Sequence, residues 1–106
     1  MNITASAHRT YSVAVDRHGI RRTDMGPAGP LGVRVRCFVP LSGEVDEQWR
    51  RSFRTVQLED TGYFRFRLEM GSNTIAFVAH DGEELERELQ LLAHLLDAVN
   101  AVAAKG

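Results

Sequence analysis

The chain has 106 residues, of which 43% are hydrophobic and 25% are charged, and its formal net charge is −1. These values are typical of one globular domain and exclude a disordered, fibrous or collagen-like chain. No apolar run approaches the roughly 20 residues that a membrane-spanning helix needs, and the first residues do not resemble a signal peptide. We therefore expect a cytoplasmic protein without membrane contact.

The last quarter of the chain differs in charge from the rest. Residues 1–80 contain eleven basic and eight acidic side chains, whereas residues 81–106 contain two basic and six acidic ones. Twelve of the thirteen basic residues are arginine. This preference indicates either bidentate recognition of carboxylate or phosphate groups or a GC-rich, bacterial-like composition. We favour the second because alanine, glycine and valine are also frequent.

The first quarter of the chain contains short strand patterns. Residues 1–9 show no periodicity and are predicted to be a flexible arm that precedes a single domain over residues 10–106. Apolar residues at every second position predict a strand over residues 11–15. Asp and Gly at the two ends of residues 16–19 predict a turn, and residues 20–23 are interpreted as the short returning strand of a hairpin.

A loop and a second strand come next. Residues 25–32 contain three glycines and two prolines, which predict an ordered loop. The alternation of apolar and polar residues resumes over residues 33–39 and predicts a strand. Pro40 is predicted to end this strand because it has no backbone N–H for the ladder.

A short helix is predicted over residues 45–56. Its apolar residues are spaced by four, four and three positions, which places them on one helical stripe. Acidic residues come early and basic residues late, as the helix dipole favours. Ser42 or Asp46 is the expected N-cap.

The second half of the chain predicts a hairpin followed by a long helix. Strict alternation over residues 63–70 predicts a strand, residues 71–73 predict a turn, and residues 74–79 predict the returning strand. A helical period then continues over residues 81–104, with Asp81 as the expected N-cap and glutamates in the first turn.

These elements predict an α+β fold. We expect an antiparallel sheet of four to five strands, with the short middle helix and the long C-terminal amphipathic helix packed on one face in two layers. The predicted core consists of Val33, Val35, Phe64, Phe66, Leu68, Ile75 and Phe77 from the sheet and Trp49, Phe53, Leu85, Leu89, Leu92, Leu96 and Val99 from the helices.

The apolar surface of the C-terminal helix is wider than one sheet face needs. Beside the seam that contains the core leucines runs a second seam of Leu91, Leu95, Ala98 and Val102. Since one seam can pack on the chain's own sheet, we expect the second to be an interface. The sequence therefore predicts a non-enzymatic interaction module that forms a homodimer or binds a helix of a partner protein.

The alternative function is binding of a nucleic acid or another anionic ligand on one sheet face. Arginines share the polar side of two predicted strands: Arg34, Arg36, Arg65 and Arg67. If the strands are neighbours, four guanidinium groups share one surface, with Phe38 and Tyr63 near them for stacking. The isoelectric point near 6.4 argues against a dedicated nucleic-acid-binding protein. A solvated face whose arginines pair with acidic neighbours is the simpler interpretation.

The sequence contains no motif that predicts catalysis. Cys37 has the same strand parity as Val33 and Val35, which predicts a buried and inert thiol. The four histidines show no metal-ligand spacing, so we predict no metal site and no cofactor. The glycine-rich loop contains prolines and leads into a strand, unlike a phosphate-binding loop. An enzyme with its site between two protomers stays an alternative to which no residue can be assigned.

Overall fold

The computed structural model describes residues 10–59 and 68–105. The strands in these ranges are β1 (Ala14–Val15), β2 (Arg21–Asp24), β3 (Arg34–Ser42), β4 (Glu69–Met70) and β5 (Thr74–His80). The helices are α1 (Glu47–Glu59) and α2 (Glu83–Ala104). The predicted α+β class is confirmed, with an antiparallel five-stranded sheet, a short middle helix and a long C-terminal helix.

β3 is the central strand of the sheet. It pairs with β5 along one edge and with both β1 and β2 along the other, and β4 pairs with the far edge of β5. Because β3 and β4 are both antiparallel to β5, they run parallel to each other with β5 between them. The chain from β3 through α1 to β4 is therefore a split β-α-β unit.

The predicted hairpin between residues 11–15 and residues 20–23 is wrong. β1 and β2 do not pair with each other, since both pair antiparallel with β3. A 3₁₀ turn at Arg17–Gly19 separates them, and the Asp16 side chain accepts a hydrogen bond from the backbone N–H of His18 at 3.2 Å. Residues 16–19 therefore form a local turn between β1 and β2, which lie along the same edge of β3. The chain does not reverse its direction there.

The prediction that Pro40 ends its strand is also wrong, because β3 continues for two more residues. The N–H of Leu41 donates to the carbonyl of Asn73 at 2.8 Å, so the missing N–H of Pro40 points to the opposite edge, where β1 and β2 are interrupted. The Pro40 carbonyl accepts the N–H of Asp16 at 2.9 Å. The 3₁₀ turn packs closely on the proline ring, since a Cβ added to Gly19 would lie 2.6 Å from it.

The core lies between the sheet and the two helices. Alternate residues of β3 and β5 face the helices and are buried, as the predicted alternation requires: Val35, Cys37, Val39, Leu41, Ile75, Phe77 and Ala79. The helices contribute Trp49, Phe53, Val56, Leu85, Leu89, Leu92, Leu95, Leu96, Val99 and Ala103. Val33 is half-buried against this cluster. Phe64 and Phe66, which were also predicted to be core residues, lie outside the described residues.

The N-terminus of α1 follows the prediction and that of α2 departs from it. Asp46 caps α1, since its Oδ1 accepts the N–H of Trp49 at 2.9 Å. The predicted N-cap of α2, Asp81, is wrong because Gly82 occupies that position with φ +101°, a conformation that favours glycine. Glu84 reaches back from the first turn and accepts the backbone N–H of His80 at 2.6 Å.

Candidate functional site

The sheet has one face covered by helices and one face that we call the open face. The alternation of β3 and β5 places on it Arg34, Arg36, Phe38, Pro40, Thr74, Ala76, Val78 and His80. The strand register adds Arg21 and Thr23 from β2 and Glu69 from β4. Both helices of the described ranges lie on the other side of the sheet.

Phe38 lies at the centre of the open face. Arg21 stands directly opposite it in β2, and Ala76 stands opposite it in β5. The guanidinium carbon of Arg36 lies over the Phe38 ring, 5.7 Å from its centroid, which is within the range of a cation–π contact. Phe38 is half-buried, so its ring supports the guanidinium and is still partly accessible.

Arg36 is held in place by a carboxylate. Its Nη2 donates to Oε1 of Glu69 at 3.0 Å across β5, and the Arg36 side chain keeps 39% of its surface exposed. The ring and the carboxylate together orient the guanidinium plane on the sheet. An oriented and accessible guanidinium is suited to contact an anion or to stack on a planar group.

The described open face has more positive than negative charge. It contains three arginines, Arg21, Arg34 and Arg36, and one carboxylate, Glu69. Arg21 and Arg34 are exposed, and neither has an ion-pair partner within the described ranges. The acidic residues of α2 lie in the other layer of the molecule. The near-neutral total charge therefore combines a basic open face with an acidic α2, whereas α1 contains three arginines and two glutamates.

The structure brings together only part of the predicted arginine surface. Arg34 and Arg36 share the open face, whereas Arg65 and Arg67 lie outside the described residues, so their placement stays a prediction. Sequence reasoning missed Arg21 as a member of this face. The available signal was the strand pattern of residues 20–23, which becomes informative only when that segment is recognised as a neighbour of β3.

The second seam of α2 is largely covered by the chain itself. Leu95 is 1% exposed and belongs to the core, and Leu91 and Ala98 are half-buried. Val102, which is 39% exposed, is the member of the seam with a substantial free surface. A partner could contact Leu95 only if the core opened. Of the predicted interface residues, Val102 is therefore exposed, and Leu91 and Ala98 are exposed in part.

Other chemical groups give no catalytic or metal-binding arrangement in the described ranges. Cys37 is fully buried, and this burial raises the pKa of its thiol, while the positive charge of Arg22 acts in the opposite direction. No group of three His, Cys, Asp or Glu side chains within residues 10–59 and 68–105 is placed to hold a metal ion.

A groove of about 840 Å³ lies between α1 and β4. Arg50 lines this groove, and its Nη2 donates to the Ser72 carbonyl at 2.5 Å. We assign no ligand to it.

The fold and the open face define the class of this protein: a two-layer α+β domain with a basic sheet face on which no helix of residues 10–59 and 68–105 packs. Comparison of the chain with protein-family models, with curated proteins and with solved structures finds no match. Neither helix in the described part of the chain is long and apolar enough to cross a membrane.

Proposed function

We propose that this protein is a non-enzymatic binding module that holds single-stranded nucleic acid on its open face. The observation that carries the proposal is the arrangement around Phe38, with Arg21 opposite it in β2 and Arg36 over its ring. Arg34 lies on the same face, two residues before Arg36 in β3. Cationic side chains neutralise phosphates, and an aromatic ring or a guanidinium plane provides a surface on which bases stack.

The shape of the open face favours a single strand over a duplex. Duplex readers insert a helix or a two-stranded ribbon into a groove, whereas the candidate residues here lie across the flat surface of a sheet. A single strand has unstacked bases that can lie flat on such a surface. The acidic residues of α2 lie in the layer away from the open face, so their charge favours approach of a polyanion to the sheet.

A binding experiment with paired charge reversals tests this proposal. Fluorescence anisotropy of a labelled single-stranded oligonucleotide is measured at low salt with the native protein and with Arg21→Glu/Arg34→Glu. Both residues are exposed and without described partners, so the variant should keep its fold. We expect its affinity to fall about tenfold or more, because direct phosphate contacts are lost.

The matched control is Arg51→Glu/Arg87→Glu, which changes the net charge equally on the exposed helix side. We expect the control to keep its affinity within about threefold, because these side chains are remote from the proposed phosphate contacts. The logarithm of the affinity should fall with the logarithm of the salt concentration, with a slope of about −0.7 for each phosphate contacted. Equal losses in the two variants, or no binding by the native protein at low salt, would contradict the proposal.

Association through the second seam of α2 stays a prediction with less support, because Leu95 is in the core. Leu95→Glu would unfold the monomer and is therefore unsuitable as a test of association. Val102→Glu is the appropriate change, since Val102 is 39% exposed.

A further inference from the structure

The outer edge of β2 is available for strand pairing. β2 pairs with β3 along one edge, and no strand of the described ranges pairs with its other edge. The N–H of Met25 donates to the Arg34 carbonyl at 2.8 Å. Along a strand, residues whose backbone groups point towards one neighbour alternate with residues whose groups point away from it. The backbone groups of Arg22 and Asp24 consequently point away from β3. All four residues of β2 are exposed.

A second copy of the same strand is the occupant that the charges of β2 favour. When identical edges pair antiparallel, the two-fold axis is perpendicular to the sheet and directly opposed residues share a face. In a register centred on Arg22, the two Arg22 residues of the dimer lie opposite each other. In a register centred on Asp24, the two Asp24 residues do. The register centred on Thr23 instead places Arg22 opposite Asp24 of the second copy, twice by symmetry.

We propose that β2 pairs with β2 of a second copy in the register centred on Thr23, so that one sheet runs through a symmetric dimer. Arg22 and Asp24 are the residues whose backbone groups point outward, so each Arg22–Asp24 pair can exchange both of its backbone hydrogen bonds. Opposite charges on directly opposed residues stabilise such a pair. This inference concerns assembly and does not rest on nucleic-acid binding.

Two further observations support this register. Met25 is 42% exposed and would lie opposite Arg21 of the second copy, where the aliphatic part of the arginine can cover it. Arg22 already donates to Asp81 at 2.5 Å, but its side chain is 52% exposed and its guanidinium has several other donors for Asp24 of the second copy.

Charged residues on an edge strand often prevent association, so the order of the charges matters here. A strand of like charges would repel its own copy in every register. In β2 the two residues with outward backbone groups carry opposite charges, which makes the edge complementary to itself. The two-fold axis would also place both open faces on the same side of the dimer, with the two Arg21 residues near the junction.

Analytical ultracentrifugation over a range of protein concentrations tests the proposal. We expect a reversible dimer, and we expect Asp24→Arg to raise its dissociation constant about tenfold or more, because two attractive pairs become repulsive. The charge exchange Arg22→Asp/Asp24→Arg should restore dimerisation to within about threefold of the native value, because it returns opposite charges to the same positions. Thermal unfolding of each variant verifies that the monomer is folded.

A backbone variant keeps the test decisive if the charge variants fold poorly. Asp24→Pro removes an outward N–H without breaking a hydrogen bond between β2 and β3, and we expect it to abolish the dimer. Val102→Glu is the matched control on α2 and should leave the dimer intact. A monomer at every concentration would overturn the proposal. A dimer that is lost with Val102→Glu but kept in both Asp24 variants would also overturn it.

Discussion

The indole Nε1 of Trp49 in α1 donates a hydrogen bond of 2.8 Å to the side-chain oxygen of Asn100 in α2. The same amide group also binds the segment before β1: its Nδ2 donates to the Val13 carbonyl at 3.0 Å, and its Oδ1 accepts the Val13 N–H at 3.3 Å. One side chain therefore ties together both helices and the segment that leads into the sheet edge. Trp49 itself is fully buried.

Replacing Asn100 should destabilise the protein strongly. Asn100→Leu keeps a similar volume but leaves the indole N–H and the Val13 backbone groups without their partner. We expect a loss of about 2–4 kcal/mol in the free energy of unfolding, because several polar groups stay buried without a hydrogen bond. Urea denaturation measures this loss. Gln90→Leu, at an exposed position of the same helix, is the control and should change stability by less than about 0.5 kcal/mol.

Gly43 should tolerate alanine less well than Gly26. Both glycines have positive φ values, +91° and +105°. A Cβ on Gly43 would lie 3.1 Å from the Ser12 carbonyl oxygen, whereas a Cβ on Gly26 meets no atom within 4 Å. Each alanine carries the backbone penalty of about 1–2 kcal/mol. Gly43→Ala should lose about 1 kcal/mol more because of the close contact. Equal midpoints in urea for the two variants would contradict this assignment.

Cys37 should make the stability depend on pH in alkaline solution. Burial raises the pKa of its thiol in the folded state, and the opposing effect of Arg22 is smaller. The neutral thiol is therefore favoured by folding, and this contribution is fully present below the pKa of the unfolded thiol, about 8.5. It is lost as the pH rises through the higher folded pKa.

The Cys37→Ala variant isolates this effect. We expect it to be less stable at neutral pH, because a buried side chain is shortened, but to lose less stability than the native protein as the pH is raised. Tyrosine and lysine titrate in both proteins and cancel in the difference. Parallel stability curves against pH for the two proteins would show that the thiol does not contribute.

The elements that the sequence predicted well are those whose pattern is local. The alternation of Val35, Cys37 and Val39 and the helical period of residues 81–104 each fix which side chains face the core, because a one-residue shift would expose apolar surface. Asp46, one of the two expected caps, could be predicted because its role needs only the next turn, where its Oδ1 accepts the N–H of Trp49.

The wrong predictions about the hairpin and about Pro40 concern relations between distant segments. The turn at residues 16–19 looks the same whether the following strand returns beside β1 or continues along β3. Pro40 can stay inside β3 only because its missing N–H faces the interruption created by that turn. The N-cap of α2 is a local exception, since Gly82, directly after Asp81, takes this position with φ +101°, a conformation that favours glycine.

The sequence by itself determined the fold class, the core side of β3 and β5 and the amphipathic nature of α2, because hydrophobic periodicity is a property of neighbouring residues. Only the tertiary structure decided that Leu95 is buried and that Arg21 joins Arg36 around Phe38. Both facts depend on which strands are neighbours and how far the helix rotates over the sheet. These are set by packing between segments that are far apart in the chain, and no local pattern specifies them.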